Sequence, residues 1–332
     1  MQLVRWCVAR LVATRDLTHD IRLFVIDPAE GDASSGSASS FVAPTPGSHI
    51  QVEVLIGGRV ETRSYSTVGP CADGLYRIAV KRLAASRGGS AYMWSLTPGA
   101  RLKIAHPRNQ FELAWAKPAY LLLAGGIGIT PIYSMALALV AAGADVRLIY
   151  GVRTAADLAF AEELRAELGD RLSLFVDAEG EKIDLDREIA ALAPGGEFYV
   201  CGPLGLMDAA RQAWTRSGRA AVLMRFETFG NSGRFANQPF HVAIPRLDLA
   251  FDVAAEETLL DALEKAGVAM ISDCRKGECG LCVLPILSAD GPLDHRDVFF
   301  SSGEKAENSK ICTCVSRLAG GILSLDTPDR RA

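Results

Sequence analysis

The sequence predicts a multidomain fold: a β-barrel, then a doubly wound parallel-sheet α/β domain, then a smaller β-rich domain built around a cysteine loop. Three observations carry this. Short alternating strands punctuated by Gly and Pro fill roughly the first 115 residues. Strand–helix alternation begins after Pro118. Five of the eight cysteines fall in the last 60 residues. A length of 332 residues accommodates two or three domains at roughly 100–200 residues each.

Composition excludes several classes. With 49% hydrophobic and 22% charged residues the chain is neither disordered nor a coiled coil. A net charge of −4 argues against a nucleic-acid binder. The longest apolar runs, 120–124 and 135–142, fall short of the ~20 residues that span a bilayer. The N-terminus has no signal-peptide core, so a cytoplasmic protein without membrane contact is expected. No internal repeat is present.

In the first part, residues 19–27, 48–56 and 74–81 alternate as half-buried strands do. Pro46-Gly47 and Pro98-Gly99 mark turns, and 31–40 is a Ser/Gly-rich loop tip. The second part reads as strand 120–124, helix 132–142, strand 146–150, helix 156–168, strand 172–176, helix 186–192, strand 197–201 and helix 205–216. Residues 226–238 are Gly/Asn-rich and read as a linker. A helix over 258–266 precedes the cysteine loop.

That loop, Cys274-Arg-Lys-Gly-Glu-Cys279-Gly-Leu-Cys282, has C-x4-C-x2-C spacing with further cysteines 30 and 32 positions on. This is the plant-type [2Fe-2S] pattern. Gly277 and Gly280 are expected to let backbone N–H groups approach the cluster. A four-cysteine zinc site is the competing reading, disfavoured because zinc ribbons use paired C-x2-C knuckles. Spacing leaves the fourth ligand open between Cys312 and Cys314. Cys7 and Cys71 read as ordinary packed thiols.

Gly125-Gly126-Ile127-Gly128-Ile129-Thr130-Pro131 follows a buried strand and opens a helix. Small residues there admit a pyrophosphate to the helix N-terminus, and proline suits the first turn. Cys201-Gly202-Pro203 ends another parallel strand at the carboxyl edge, where ligands of such sheets bind. Asp177 follows strand 172–176. It would accept from a ribose hydroxyl and repel a 2′-phosphate, which favours NADH over NADPH.

Taken together, Arg63-Ser64-Tyr65-Ser66, the glycine turn and Cys201-Gly202-Pro203 resemble the ferredoxin–NADP reductase superfamily. Arg87-Gly88-Gly89-Ser90, Pro107–Phe111, Asp294-His295-Arg296-Asp297 and Cys314-Val315-Ser316-Arg317 narrow the resemblance to phthalate dioxygenase and vanillate O-demethylase reductases. The resemblance implies an FMN-binding β-barrel over 1–116, an NAD-binding domain over 117–225, a linker over 226–238, and a β-grasp [2Fe-2S] ferredoxin domain over 239–332. By analogy Arg63 holds phosphate, Tyr65 packs on the isoalloxazine and Ser66 bonds near the reactive nitrogen. Ser64 and Lys81 complete that site, and Arg87, Gly88, Gly89 and Ser90 cradle a terminal phosphate, which favours FMN over FAD. Gly125, Gly126, Ile127, Gly128, Thr130, Asp177, Cys201, Gly202 and Pro203 hold the dinucleotide. Ser66, Cys201 and Phe226 are the residues expected at the reacting rings, with Phe229 the alternative to Phe226. The ligand in such reductases directly precedes V-S-R, which selects Cys314 with Cys274, Cys279 and Cys282. The two extra residues then fall in a hairpin over 288–292.

The implied function is the reductase component of a Rieske-type aromatic oxygenase or demethylase, passing electrons from NADH through FMN and [2Fe-2S]. A monomer is expected. Arg275 and Lys276 are expected to form a basic edge that meets an acidic patch on the oxygenase. The competing readings are a stand-alone flavin reductase, which needs no cysteine loop, and a zinc-bearing nucleotide sensor without turnover.

Overall fold

A computed structural model describes residues 5–29, 41–83, 88–229, 233 and 235–327. The loop 31–40 and Arg87 lie outside them. The chain divides into two compact units, Met1–Phe226 and Glu227–Ala332. The first contains two sheets.

Its antiparallel sheet comprises β1 (Trp6–Asp16), β2 (Ile21–Asp27), β3 (Ser48–Ile56), β4 (Arg59–Ser66), β5 (Tyr76–Lys81), β6 (Arg101–Ala105) and β7 (Arg108–Asn109). The order is β4-β3-β6-β1-β2-β5, with β7 on β3. A bridge from Thr67, just past β4, to Ile78 in β5 curls the sheet onto itself. Alternation in β2 and β3 supplies the filling: Phe24, Ile26, Ile50, Val52 and Val54 meet Tyr76, Ile78 and Val80 inside. β2 begins two residues later than the alternation suggests. Thr18 Oγ1 accepts from the Asp20 and Ile21 N–H groups and so forms a turn there. Helix α1 (Gly89–Ser95) follows β5.

The second sheet joins β8 (Tyr120–Gly125), β9 (Val146–Val152), β10 (Leu172–Val176), β11 (Glu197–Cys201) and β12 (Met224–Glu227), in the order β10-β9-β8-β11-β12. The pairs β10·β9, β9·β8 and β8·β11 are parallel. Central β8 is buried along its whole length, as helix cover on both faces requires. The crossovers carry α2 (Ile129–Ala141), α3 (Ala161–Leu168), α4 (Leu185–Ala190) and α5 (Leu204–Arg216). The helix expected over 156–168 is broken. Thr154 and Asp157 close a capping box around one 3-10 turn, and Phe160 adopts φ +61°. Its ring packs on Tyr133 of α2, with centroids 4.8 Å apart.

In the second unit β13 (Phe240–Ile244), β14 (Leu249–Val253), β15 (Val283–Asp290), β17 (Lys310–Cys312) and β19 (Ile322–Leu325) form a sheet of order β14-β13-β19-β15-β17. The β13·β19 pair is parallel and its neighbours antiparallel. Helix α6 (Leu259–Lys265) covers it, with Leu259, Ala262 and Leu263 in the core. This is the expected β-grasp arrangement. β16 (Leu293–Asp294) pairs with β18 (Arg317–Leu318) in a sheet of its own, so 288–292 is not a hairpin between paired strands. α7 (Ser302–Glu307) opens with a Ser301/Glu304 capping box. Among the described residues no helix is long and apolar enough to cross a membrane.

Leu122 lies at the centre of β8 with no exposed surface. Leu122→Ala is expected to destabilise the first unit by about 2–5 kcal/mol, read as a lowered midpoint for its transition in urea, with the second unit's transition unmoved.

Candidate functional site

The Arg63–Ser66 segment ends β4, directly after a strand turn that registers it against β3: Ser66 opposite His49, Tyr65 opposite Ile50. Ser66 is buried and Ser64 exposed. Burial pushes the Tyr65 hydroxyl well above its usual range, against the pull of Arg63. The Arg63 guanidinium donates to Glu61 Oε2 at 2.7 Å and to the Thr62 carbonyl at 3.0 Å. A Cβ on Gly89 would lie 2.7 Å from Arg63 Nε, so Gly89 is held against that guanidinium. Two segments the sequence separates by some twenty residues thus form one small cationic cradle, and the Ser90 hydroxyl beside it accepts from the Leu83 N–H at 3.3 Å. Lys81, expected at the same site, instead pairs with Asp20 at 3.1 Å.

The glycine turn is a single 3-10 turn, Gly126–Gly128, running straight into α2. Thr130 Oγ1 donates to the Ile127 carbonyl at 3.0 Å. A Cβ on Gly128 would fall 2.2 Å from the Cys201 carbonyl oxygen, and one on Gly125 2.7 Å from Pro203. The two carboxyl-edge motifs therefore touch backbone to backbone. Gly126, at φ +52°, faces open space, as an approaching ligand requires. Cys201 itself has no exposed surface, whereas Gly202 is half-buried and Pro203 exposed. Asp177 starts an exposed 3-10 turn, and Ala178 N–H donates to the Arg153 carbonyl at 2.9 Å. Arg153, exposed just past β9, is a cation at the Asp177 turn that sequence reading missed. Its only signal is its place just past a parallel strand.

One side chain joins these two edges. Ser134 of α2 donates to the Thr67 carbonyl at 2.9 Å and accepts from the Gly69 N–H at 3.0 Å. Thr67 is the residue after Ser66, and Ser134 lies one helical turn beyond Thr130. Phe226, in β12 rather than in a linker, is half-buried with Arg211 5.8 Å from its ring.

In the second unit the cysteines fall into two sets. Cys282, Cys312 and Cys314 are buried in one cluster, whereas Cys274 is half-buried and Cys279 exposed. Cys274 Sγ also accepts from the Lys276 and Glu278 N–H groups, each at 3.4 Å. Hydrogen bonds from Cys312 and Cys314 hold the Cys282 thiol far below its usual value. Among the described residues no three cysteine sulfurs lie within 4.8 Å of one another.

A polar hub fixes the loop. Asp297, fully buried, accepts from Phe300 N–H and Ser316 Oγ, each at 3.0 Å. Burial raises its carboxyl pKa, but hydrogen bonds from His295, Phe300 and Ser316 and the Lys305 charge outweigh it and leave the pKa lowered. Ser316 accepts from Arg296 N–H at 3.0 Å, and Arg296 Nε donates to Asp294 Oδ2 at 2.8 Å. The Asp294–Asp297 segment and the residues after Cys314 are therefore one structure. Gly277 packs its Cα face on Val315 and on Asp297, leaving no room for a side chain, while Gly280 lies under the Phe299 ring.

The expected basic edge is not present as such. Lys276 is half-buried, pairing with Glu227 at 2.6 Å. Glu278 accepts from Thr228 N–H at 2.7 Å, and burial raises its carboxyl pKa. Arg275 forks to Asp261 and Glu264 of α6 at 2.8 Å each.

Residues 244–319 match the 2Fe-2S iron–sulfur cluster binding domain family, and residues 122–212 the oxidoreductase NAD-binding domain family. The putative toluene-4-sulfonate monooxygenase system reductase subunit TsaB2 of Comamonas testosteroni is 38% identical over 323 residues, 95% of this chain and 97% of that protein. The heme-dependent oxidative N-demethylase beta subunit of Ectopseudomonas mendocina is 35% identical, over 96% of this chain and 97% of its own. The solved phthalate dioxygenase reductase, described as a modular structure for electron transfer from pyridine nucleotides to [2Fe-2S], superposes with a TM-score of 0.74 at 30% identity, over 97% of this chain and 98% of that one. The chain belongs to the phthalate dioxygenase reductase family.

As a phthalate dioxygenase reductase-type protein it is an electron-transfer oxidoreductase with NAD, flavin and [2Fe-2S] chemistry. The clustered thiols of the cysteine loop and the Arg63–Gly89 contact are the features of this chain that fit those groups. The backbone contact at Gly128 yields a direct test. Gly128→Ala must displace the Cys201–Gly202 backbone, and it is expected to weaken NADH binding by tenfold or more in calorimetric titration. Visible absorption of the iron–sulfur half should be unchanged.

Proposed function

We propose that this chain takes electrons from NADH through FMN and a [2Fe-2S] cluster to a Rieske-type aromatic oxygenase or demethylase. The Ser134 joint is the observation that carries the reading, because it binds the end of the Arg63–Ser66 segment to the helix that the glycine turn opens. A flavin site and a nicotinamide site built on these two edges adjoin, as hydride transfer requires.

The proposed barrel, nicotinamide and ferredoxin domains span 1–116, 117–225 and 239–332. When bound, the nicotinamide would supply one hydride, an electron pair, to the flavin, and the cluster would accept those two electrons one at a time. Arg63, Gly88, Gly89 and Ser90 would hold the FMN phosphate, with Arg87 beside them in sequence, and Tyr65 and Ser66 would line the ring. Gly125, Gly126, Ile127, Gly128, Thr130, Gly202 and Pro203 would receive the dinucleotide, and Asp177 its adenosine ribose. Cys201 and Phe226 remain candidates at the rings. Cys201 supports the turn through its carbonyl, since its thiol is wholly buried. The proposed ligands are Cys274, Cys279, Cys282 and Cys314. Support for Cys314 over Cys312 comes from the cysteine loop itself, whose Gly277 packs on Val315, the residue directly after Cys314. Cys312 is engaged in β17 opposite Val283.

A plant-type cluster near about −400 mV reduces a Rieske centre at about −150 mV or above. The second reading, a haem-containing acceptor, is favoured by the likeness to the N-demethylase subunit. The proposed setting is a cytoplasmic monomer.

Cys314→Ser is expected to lose the electron paramagnetic resonance signal of the reduced cluster and cytochrome c reduction, while ferricyanide reduction by NADH through the flavin survives. Cys312→Ser should keep both. A Cys314→Ser protein with an intact signal would refute the ligand set. Reduction of a purified Rieske oxygenase, against none by NADH alone, tests the acceptor.

Nucleotide preference is read at β10. Asp177→Ser with Ala178→Arg is expected to raise NADPH use relative to NADH by roughly 5–150-fold, equivalent to about 1–3 kcal/mol of discrimination. Wild-type preference for NADPH in steady-state assays would overturn the role given to Asp177.

A further inference from the structure

We infer that Cys312 is a hydrogen-bond donor to the Cys282 ligand sulfur and thereby raises the reduction potential of the cluster. The inference rests on the proposed ligand set, in which Cys312 is the cysteine beside the cluster that binds no iron.

The placement comes from the backbone. Val283, next to Cys282, is registered opposite Cys312 across the β15·β17 ladder. The Thr313 N–H and Thr313 hydroxyl both donate to the Cys282 carbonyl, at 3.3 and 2.9 Å. The chain then turns, because the Val315 and Ser316 N–H groups both donate back to the Cys312 carbonyl, at 3.3 and 3.0 Å. That turn follows Cys314 with Val315 packed on Gly277, while Cys312 stays in the ladder. Cys312 has no exposed surface and sits in one apolar cluster with Leu260, Cys282, Phe300 and Cys314. Its side chain and that of Cys282 therefore pack together in one water-free cluster, which puts the Cys312 thiol beside the Cys282 sulfur.

The physical consequence follows from charge. Reduction adds an electron whose density spreads onto the ligand sulfurs. An S–H aimed at one of them stabilises the reduced state more than the oxidised one. Water does not screen the contact, so the effect is larger than at the exposed Cys279. Cys282 therefore receives a donor that no apolar residue at position 312 supplies.

The test uses the full-length holoprotein and a dye-mediated redox titration followed by electron paramagnetic resonance. Cys312→Ala and the volume-filling Cys312→Val are expected to lower the midpoint potential, making reduction about two- to tenfold less favourable, the size of one hydrogen bond. Cys312→Ser retains a donor and should restore most of the shift. In deuterated solvent, pulsed resonance of the reduced wild type should show an exchangeable-proton coupling that Cys312→Val lacks. Unchanged potentials in variants with full iron and sulfide content would overturn the inference and leave the ligand set standing. Loss of the cluster from all three Cys312 variants, with the signal kept in Cys314→Ser, would instead show Cys312 to be a ligand and overturn both.

Discussion

Gly128 stands where any side chain would strike the carbonyl of Cys201, the last residue of a neighbouring strand. That closeness is a constraint on the whole first unit. It requires glycine at the turn, it lets β8 and β11 end level with each other, and it starts α2 at a fixed distance from the sheet edge. Ser134, one turn beyond Thr130, then meets the Thr67 carbonyl and Gly69 N–H, so the position of the antiparallel barrel follows from the same helix. A displacement at Gly128 would thus be felt at both candidate sites of this unit.

The second unit depends on a different device. Its cysteine loop has little regular structure of its own and is held by buried polar groups. Asp297 gathers Phe300, Ser316 and Lys305, and Arg296 bridges Asp294 to the Ser316 side. All of these groups but the half-buried Lys305 are buried, and each is satisfied by a specific partner, which is the condition under which a buried network rigidifies a loop. The Cys314 turn is attached directly to that hub. The loop charges are spent in the same manner: Lys276 on Glu227, Arg275 on α6. An exposed basic patch at this edge is consequently reduced to the outer face of Arg275.

Much of the architecture was legible from pattern alone. The strands Ser48–Ile56, Leu172–Val176 and Glu197–Cys201 have the bounds that alternation or unbroken apolarity gives them. Both periodicities reflect burial on one face or on two, and burial is what these strands experience. The broken helix at 158–160 shows the limit. Ala-rich sequence favours one continuous helix there, but Phe160 gains more by packing on Tyr133, and it takes a left-handed conformation to do so.

Spacing in the sequence determined the cofactor classes, because a C-x4-C-x2-C loop and a glycine turn after a buried strand are local motifs whose chemistry depends on near neighbours. It also fixed the order of the parts. It did not determine which side chains in those motifs are free to act. Lys276 is neutralised by a residue 49 positions away, Gly89 is pressed on Arg63, and Cys312 is held in the β15·β17 ladder while Cys314 lies beyond it. Those outcomes were decided by tertiary packing, since burial, pairing and the direction of a turn all come from residues remote in the chain.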